Sequence, residues 1–270
     1  MRFPEPWKGF TSYEVKKPDT NTILNVAEKS ESGKSYAAML AWIEGSIDSV
    51  NGERPKDLKY MPLVNAEVVS RDAFLLYKLP TLVEGIYPCP RCNHLNKHEE
   101  SSEGDTRDDI AGLETKIADE EPVHELDISE NPITIEITRE GQKETVAMIS
   151  KLKFRSPTID DLLKIETDQT LKTSIRRMKK LYLACMIDMD GTVTDGETFA
   201  TLKNKYSYDL LNFPDFRDFD RLTRLFRTYG FNHMVSMSCE ACGKEFERPI
   251  DFTGFFVSAL LSHSRERGAS

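Results

Sequence analysis

Apolar residues recur at helical spacing in two separate stretches of the chain, and in each the same succession of signals follows. Pro18-Asp19-Thr20 stands ahead of Ile23, Leu24 and Val26, and Pro157-Thr158 stands ahead of Ile159, Leu162, Leu163 and Ile165. Both are helix starts, and Thr158 with Asp161 has the spacing of a capping box. A second helix is predicted over Tyr36 to Asp48 in one stretch and Met178 to Asp188 in the other. Each should end on Ile-Asp and a turn, Asn51-Gly52 or Asp190-Gly191. A third helix is predicted around Asp72 to Leu79 and around Asp220 to Phe226. Each should then run through Gly85 or Gly230 into a short extended segment that delivers a Cys-x-x-Cys pair. Between the stretches, Ile133-Thr134-Ile135-Glu136-Ile137 alternates, Glu140-Gly141 turns, and Val146 to Ile149 returns, the pattern of a small β-hairpin.

These patterns predict an α+β, helix-dominated fold, with two pseudo-repeated helical halves, short β-hairpins and a shared zinc knuckle site. Residues 1–96 form the first helical half, ending in a knuckle. Residues 97–130 form a linker, and residues 131–270 hold the hairpin and the second helical half with its own knuckle. A chain of 270 residues, 39% hydrophobic and with 14 Phe, can bury cores of that size.

Charge sharpens the linker boundary. Residues 97–130 hold 13 acidic and 3 basic residues, so that of the 45 acidic and 36 basic residues in the chain the remainder carries 32 against 33. A nearly neutral body with an acidic segment reads as a solvated connector and disfavours a phosphate-binding surface. The first residues, Met1-Arg2-Phe3-Pro4-Glu5-Pro6, show no apolar signal-peptide run. The apolar stretch Phe252 to Leu261 is too short and too interrupted to span a bilayer, and is expected to pack in the core. A cytoplasmic, non-membrane protein is expected.

Five cysteines suit a reducing compartment with a metal better than a disulfide framework. Cys89-Pro90-Arg91-Cys92 and Cys239-Glu240-Ala241-Cys242 are each a thiolate pair able to wrap one edge of a tetrahedral ion, and Asn93 and Gly243 after them tolerate a left-handed turn. One structural zinc shared by Cys89, Cys92, Cys239 and Cys242 is expected. Separate half-sites and metal-free thiol pairs are the alternatives, and His94 and His98 are candidate replacement ligands. Cys185 is left over.

Two catalytic patterns resolve less well. Pro88-Cys89-x-x-Cys92 matches half of the zinc nucleoside deaminase signature, but no His or Cys precedes it, and Asn65-Ala66-Glu67 would supply a poor ligand. Met186-Ile187-Asp188-Met189-Asp190-Gly191-Thr192 resembles the nucleophile motif of haloacid-dehalogenase-type phosphatases, with Asp188 and Asp190 as nucleophile and general acid. The basic, helix-spaced run before it favours a helix-ending turn instead. Basic clusters at Arg176 to Lys180 and Arg221 to Arg227 read as solvated helix faces, leaving a zinc-ribbon nucleic-acid module as a further alternative.

The second stretch carries a wider likeness. Phe154-Arg155-Ser156-Pro157-Thr158 opens a helix, and Cys185-x-Ile187-Asp188 follows. Asp218-x-Asp220-x-Leu222 precedes Tyr229-Gly230, and the strand His233 to Met237 leads into Cys239-x-x-Cys242-Gly243 and an ending from Ile250 to Phe255-Phe256. Together these residues resemble the baseplate hub assembly proteins of contractile-tailed, T-even-like bacteriophages. The resemblance implies a non-enzymatic protein that assembles the hub of a phage tail by binding other tail or baseplate proteins, in the host cytoplasm or in the virion tail. The apparent second copy and the acidic segment depart from the short single-unit pattern of that family.

Overall fold

The structure is a computed structural model that describes residues 1–76, 85–98, 115–193, 198–207, 209–213, 216–226, 228–231 and 234–249. The C-terminal apolar stretch from Phe252 to Leu261 and residues 99–114 of the acidic segment lie outside the described residues. The chain divides into two compact units, one of Met1–Ile117 with Gly230–Ser270 and the other of Ala118–Tyr229. Among the described residues no helix is long and apolar enough to cross a membrane.

The first unit opens with a hairpin, β1 (Arg2–Trp7) and β2 (Phe10–Val15). Its turn places Lys8 and Gly9 at φ of 51° and 78°, the left-handed pair that a tight two-residue connection requires. Helix α1 (Thr20–Glu31) follows, its first turn capped by Asp19, whose carboxylate accepts the Thr22 N–H at 2.8 Å. Helix α2 (Ser35–Ser46) then feeds directly into β3 (Ile47–Val50), which pairs with β2 to give the order β1-β2-β3. Helix α3 (Leu63–Leu75) packs on β1 and β2. Phe3 and Tyr13 stack with ring centroids 4.7 Å apart in this core, where Trp42, Ile43 and Val69 are also buried. The hairpin of β4 (Gly85–Pro88) and β5 (Leu95–His98) carries the first cysteine pair, and β6 (Thr115–Lys116) completes this part of the chain.

The second unit is built on a long strand. β7 (Val123–Asp127) pairs with the Lys151–Arg155 end of β9 (Gln142–Arg155), and β8 (Ile133–Arg139) pairs with its Gln142–Ile149 end. The β8–β9 connection uses Glu140 and Gly141 at φ of 51° and 82°, as their sequence predicts. Helix α4 (Ile159–Thr167) has the predicted capping box. Thr158 Oγ1 accepts the Asp161 N–H at 3.4 Å, and Asp161 Oδ2 accepts the Thr158 N–H at 2.9 Å. Helix α5 (Ser174–Cys185) then runs into β10 (Met186–Val193), which pairs antiparallel with the other edge of β9. Helices α6 (Phe199–Lys205) and α7 (Phe216–Leu225) follow, with α7 against β7. Ile149, Leu152, Phe154, Leu202, Leu222 and Cys185 lie in the core. Burial pushes the Cys185 thiol up to about 12, so the leftover cysteine is a small apolar core residue rather than a reactive one.

The chain returns to the first unit through β11 (Gly230–Phe231), paired with β6, and ends the described region with the hairpin of β12 (Met234–Ser238) and β13 (Glu245–Pro249). The order of elements recurs: a hairpin, two helices, a strand returning to the hairpin, further helix, and a cysteine-bearing hairpin.

The helix-dominated fold expected from the sequence is wrong. Among the described residues, seven α-helices and about 31% strand make this a mixed α/β chain with antiparallel sheets of three and four strands. The excess is strand where turn or connector was expected. Asp190-Gly191 sits inside β10 at a register shift, and Ile47-Asp48 opens β3. Thr115–Lys116 and Val123–Asp127, within the stretch read as linker, form β6 and β7.

Candidate metal centre

Each cysteine pair sits at the tip of a two-stranded hairpin, and the two tips are built alike. In the first, the Cys89 N–H donates to the His94 carbonyl at 2.8 Å and the Asn93 N–H to the Cys89 carbonyl at 2.9 Å. In the second, the Cys239 N–H donates to the Lys244 carbonyl at 2.9 Å and the Gly243 N–H to the Cys239 carbonyl at 2.8 Å. Asn93 and Gly243 take the left-handed conformation, with φ of 57° and 66°. The Arg91 N–H points at Cys89 Sγ from 3.4 Å. Short loops of this kind turn backbone dipoles towards sulfur, which stabilises thiolate.

The two tips meet within the first unit. Cys89 Sγ lies 3.8 Å from Cys242 Sγ, and Cys92 Sγ lies 3.7 Å from Cys239 Sγ. All four sulfurs lie within 4.8 Å of one another, close enough to hold one metal ion. A tetrahedral ion with metal–sulfur bonds of about 2.3 Å needs sulfur–sulfur edges of about 3.8 Å, so the donor set fits such an ion by type and by spacing. Cys89 and Cys239 are buried, Cys242 is half-buried and Cys92 is exposed, so the cluster has one side towards solvent.

Proton affinities show what the cluster lacks without a cation. Burial opposes ionisation of Cys89, but the N–H groups of Arg91 and Cys92 and hydrogen bonds from Cys239 and Cys92 outweigh it and bring its pKa down to about 6. Cys239 is lowered as well, the N–H groups of Cys242 and Ala241 overcoming its burial. The His94 N–H favours a thiolate on Cys92, yet burial and the neighbouring thiols push it up to about 12. Cys89 and Cys239 thus give up their protons readily while Cys92 holds its own, so full ionisation of the cluster requires a positive charge among the sulfurs.

The other candidate residues go elsewhere. His94 is partly exposed, with Nε2 3.9 Å from a Glu240 carboxylate oxygen, and the His98 side chain lies outside the described residues. Asp188 and Asp190 lie on β10 and both pair with Lys153, at 3.4 and 3.0 Å. Asn65 is buried on α3 and bridges to the Glu5 backbone, accepting its N–H at 2.9 Å and donating to its carbonyl at 2.8 Å. In the basic cluster, Lys179 donates to Asn212 at 2.8 Å, Arg177 donates to the Leu171 carbonyl at 3.1 Å, and Lys180 pairs with Asp168. One residue of the site was missed from sequence. Asn96 is buried beside the cysteines, and its Oδ1 accepts the Glu240 N–H at 2.9 Å.

The fold and the site thus define a mixed α/β protein in which two cysteine hairpins, distant in sequence, converge on one potential tetrathiolate centre. No family model, curated protein or solved structure matches the chain.

Proposed function

We propose that this chain is a non-enzymatic assembly protein whose cysteine cluster holds a structural zinc, and that it acts through protein–protein contacts in a phage tail baseplate hub. One observation carries the structural role: all four converging donors are thiols, and their sulfurs lie within 4.8 Å of one another. A centre filled by four protein ligands leaves no open position for water or substrate, which is the pattern of structural rather than catalytic zinc. Thiolates favour zinc, copper(I) and iron–sulfur clusters over the harder common ions. The baseplate setting rests on the resemblance of residues 154–256.

The rival phosphatase reading is less well supported. Asp188 and Asp190 share one lysine on an antiparallel sheet, where a phosphoryl-transfer site would need a nucleophile aimed at an open pocket.

Metal analysis of purified protein tests the first part, with about one zinc per chain expected and a metal-free or iron-loaded protein overturning it. Quantitative capture from phage-infected cells tests the second. Specific enrichment of baseplate hub proteins is expected, and their absence at normal expression overturns that setting. Phosphatase activity that is lost in Asp188→Asn would overturn the non-enzymatic reading.

A further inference from the structure

The two cysteine hairpins are alike in backbone, but their side chains differ, and one difference bears on how the tips meet. Tyr87 and Asn96 are opposite in the first hairpin as Met237 and Phe246 are in the second, so Asn96 and Phe246 occupy the same place, four residues beyond the second cysteine. Likewise Pro90 and Glu240 occupy the same place, directly after the first cysteine. Glu240 has a backbone N–H that needs an acceptor, and Pro90 has none. Asn96 supplies that acceptor: its Oδ1 takes the Glu240 N–H at 2.9 Å, while its Nδ2 donates to the His94 carbonyl at 3.3 Å. The side chain is buried, so its polar atoms need these partners.

From this asymmetry we infer that Asn96 is a positioning residue that selects the second hairpin as the partner of the first and holds it in register for the metal. The inference rests on the metal-centre reading above. With the Glu240 N–H held by Asn96, the loop that carries Cys239 and Cys242 is tied to the first hairpin. The pairing is also exclusive. A first hairpin meeting the first hairpin of a second copy would set Asn96 against Pro90, an acceptor facing a residue without a donor. A second hairpin meeting its own copy would set Phe246 against the Glu240 N–H and leave that donor without the acceptor that Asn96 provides. Each self-pairing forgoes a part-buried hydrogen bond that the observed pairing makes.

The test is a competition titration of the full-length protein with a chromophoric zinc chelator, alongside its oligomeric state by light scattering. Asn96→Leu should weaken zinc binding about 10- to 100-fold, the usual effect of losing a partner just outside the ligands. Asn96→Asp, which keeps the acceptor, should recover much of it. Glu240→Pro removes the N–H and should weaken binding alone, and in that background Asn96→Leu should add little. Zinc affinity unchanged in Asn96→Leu, or the same further loss in the Glu240→Pro background, overturns the inference. If Asn96→Leu does not fold, Glu240→Pro with wild-type affinity overturns it. A wild-type protein that binds no zinc fails the metal-centre reading instead, so the two failures are distinguishable.

Discussion

The sulfurs of Cys92 and Cys239 stand 3.7 Å apart across 147 positions of chain. The entire second unit, Ala118–Tyr229, lies between them in sequence. An ion held at this point closes a loop that chain entropy would otherwise keep open.

Removing the ion should therefore unfold one part of the protein and leave another. In the chain-entropy picture a cross-link around a loop of about 100 residues contributes close to 5 kcal/mol, and structural zinc sites in peptides contribute more. The second unit has its own core around Ile149, Leu152 and Phe154 and contains none of the four ligands. Calorimetry of the full chain is expected to show two transitions. Excess chelator, or Cys239→Ser, should lower one by many degrees and shift the other little. A thermogram indifferent to chelator would show that the cysteines hold nothing that stabilises the fold.

The starts of α1 and α4 and their caps were legible from sequence because their signals are local. Asp19 and the Thr158–Asp161 box announce α1 and α4 by residue type alone, and Glu140-Gly141 announces the β8–β9 turn. The missed strands lack local signals. β1 carries Pro4 and Pro6, which argue against a strand except at a sheet edge, and an edge is where it lies. β3 and β10 begin at the residue after a helix, with no turn residue between. β7 hides in an acidic run because its charged residues face solvent, while His124 and Leu126 alternate inward. The cysteine spacing exposed the four ligands, but Asn96 was silent, since its role depends on a backbone N–H 144 positions away.

His124 makes the second unit acid-sensitive. Its Nε2 lies 2.8 Å from Ser156 Oγ, its ring packs edge-on to Phe226, and burial lowers its pKa below the usual value. A histidine kept neutral in the fold binds its proton more readily when unfolded. The stability it contributes is thus present in full above about pH 6.5 and falls as the pH drops from there towards its lowered value. Urea midpoints of wild type and His124→Gln should converge as pH falls from 7.5 to 5.5. Parallel curves would mean that His124 carries no such penalty.

Gly191 is required by the path of β10 rather than by a turn. A Cβ there would lie 2.2 Å from the Met148 carbonyl oxygen and 2.8 Å from Ile149 Cα, both backbone atoms of the paired strand β9. Neither can move without displacing the sheet. Gly191→Ala should cost about 2–3 kcal/mol, the upper range of overpacking. Gly9→Ala, at φ of 78° but with open space around it, should cost only about 1 kcal/mol. Denaturant midpoints of the two variants give the comparison, and equal losses would contradict the close approach at Gly191.

Asp161 joins three elements through one carboxylate. It caps α4, accepts the Thr158 hydroxyl at 2.8 Å, and takes two hydrogen bonds from Arg155 at the end of β9, at 2.7 and 2.9 Å. Arg155 also donates to the Ala184 carbonyl near the end of α5, which ties that helix to the same point. Burial alone would raise the Asp161 pKa, but the donors from Arg155 and Thr158 outweigh it and hold it below the usual carboxylate value. Its contribution is thus complete above about pH 4 and is lost as pH falls through the lowered value. Asp161→Asn should destabilise the protein by about 2–3 kcal/mol at neutral pH, the range for hydrogen bonds to a charged group. The gap to wild type should hold steady from pH 8 to pH 5 and narrow only in stronger acid, which places it apart from the His124 effect in the same titration. A gap that already closes near pH 6 would mean that Asp161 is protonated in the folded chain and that Arg155 does not hold it.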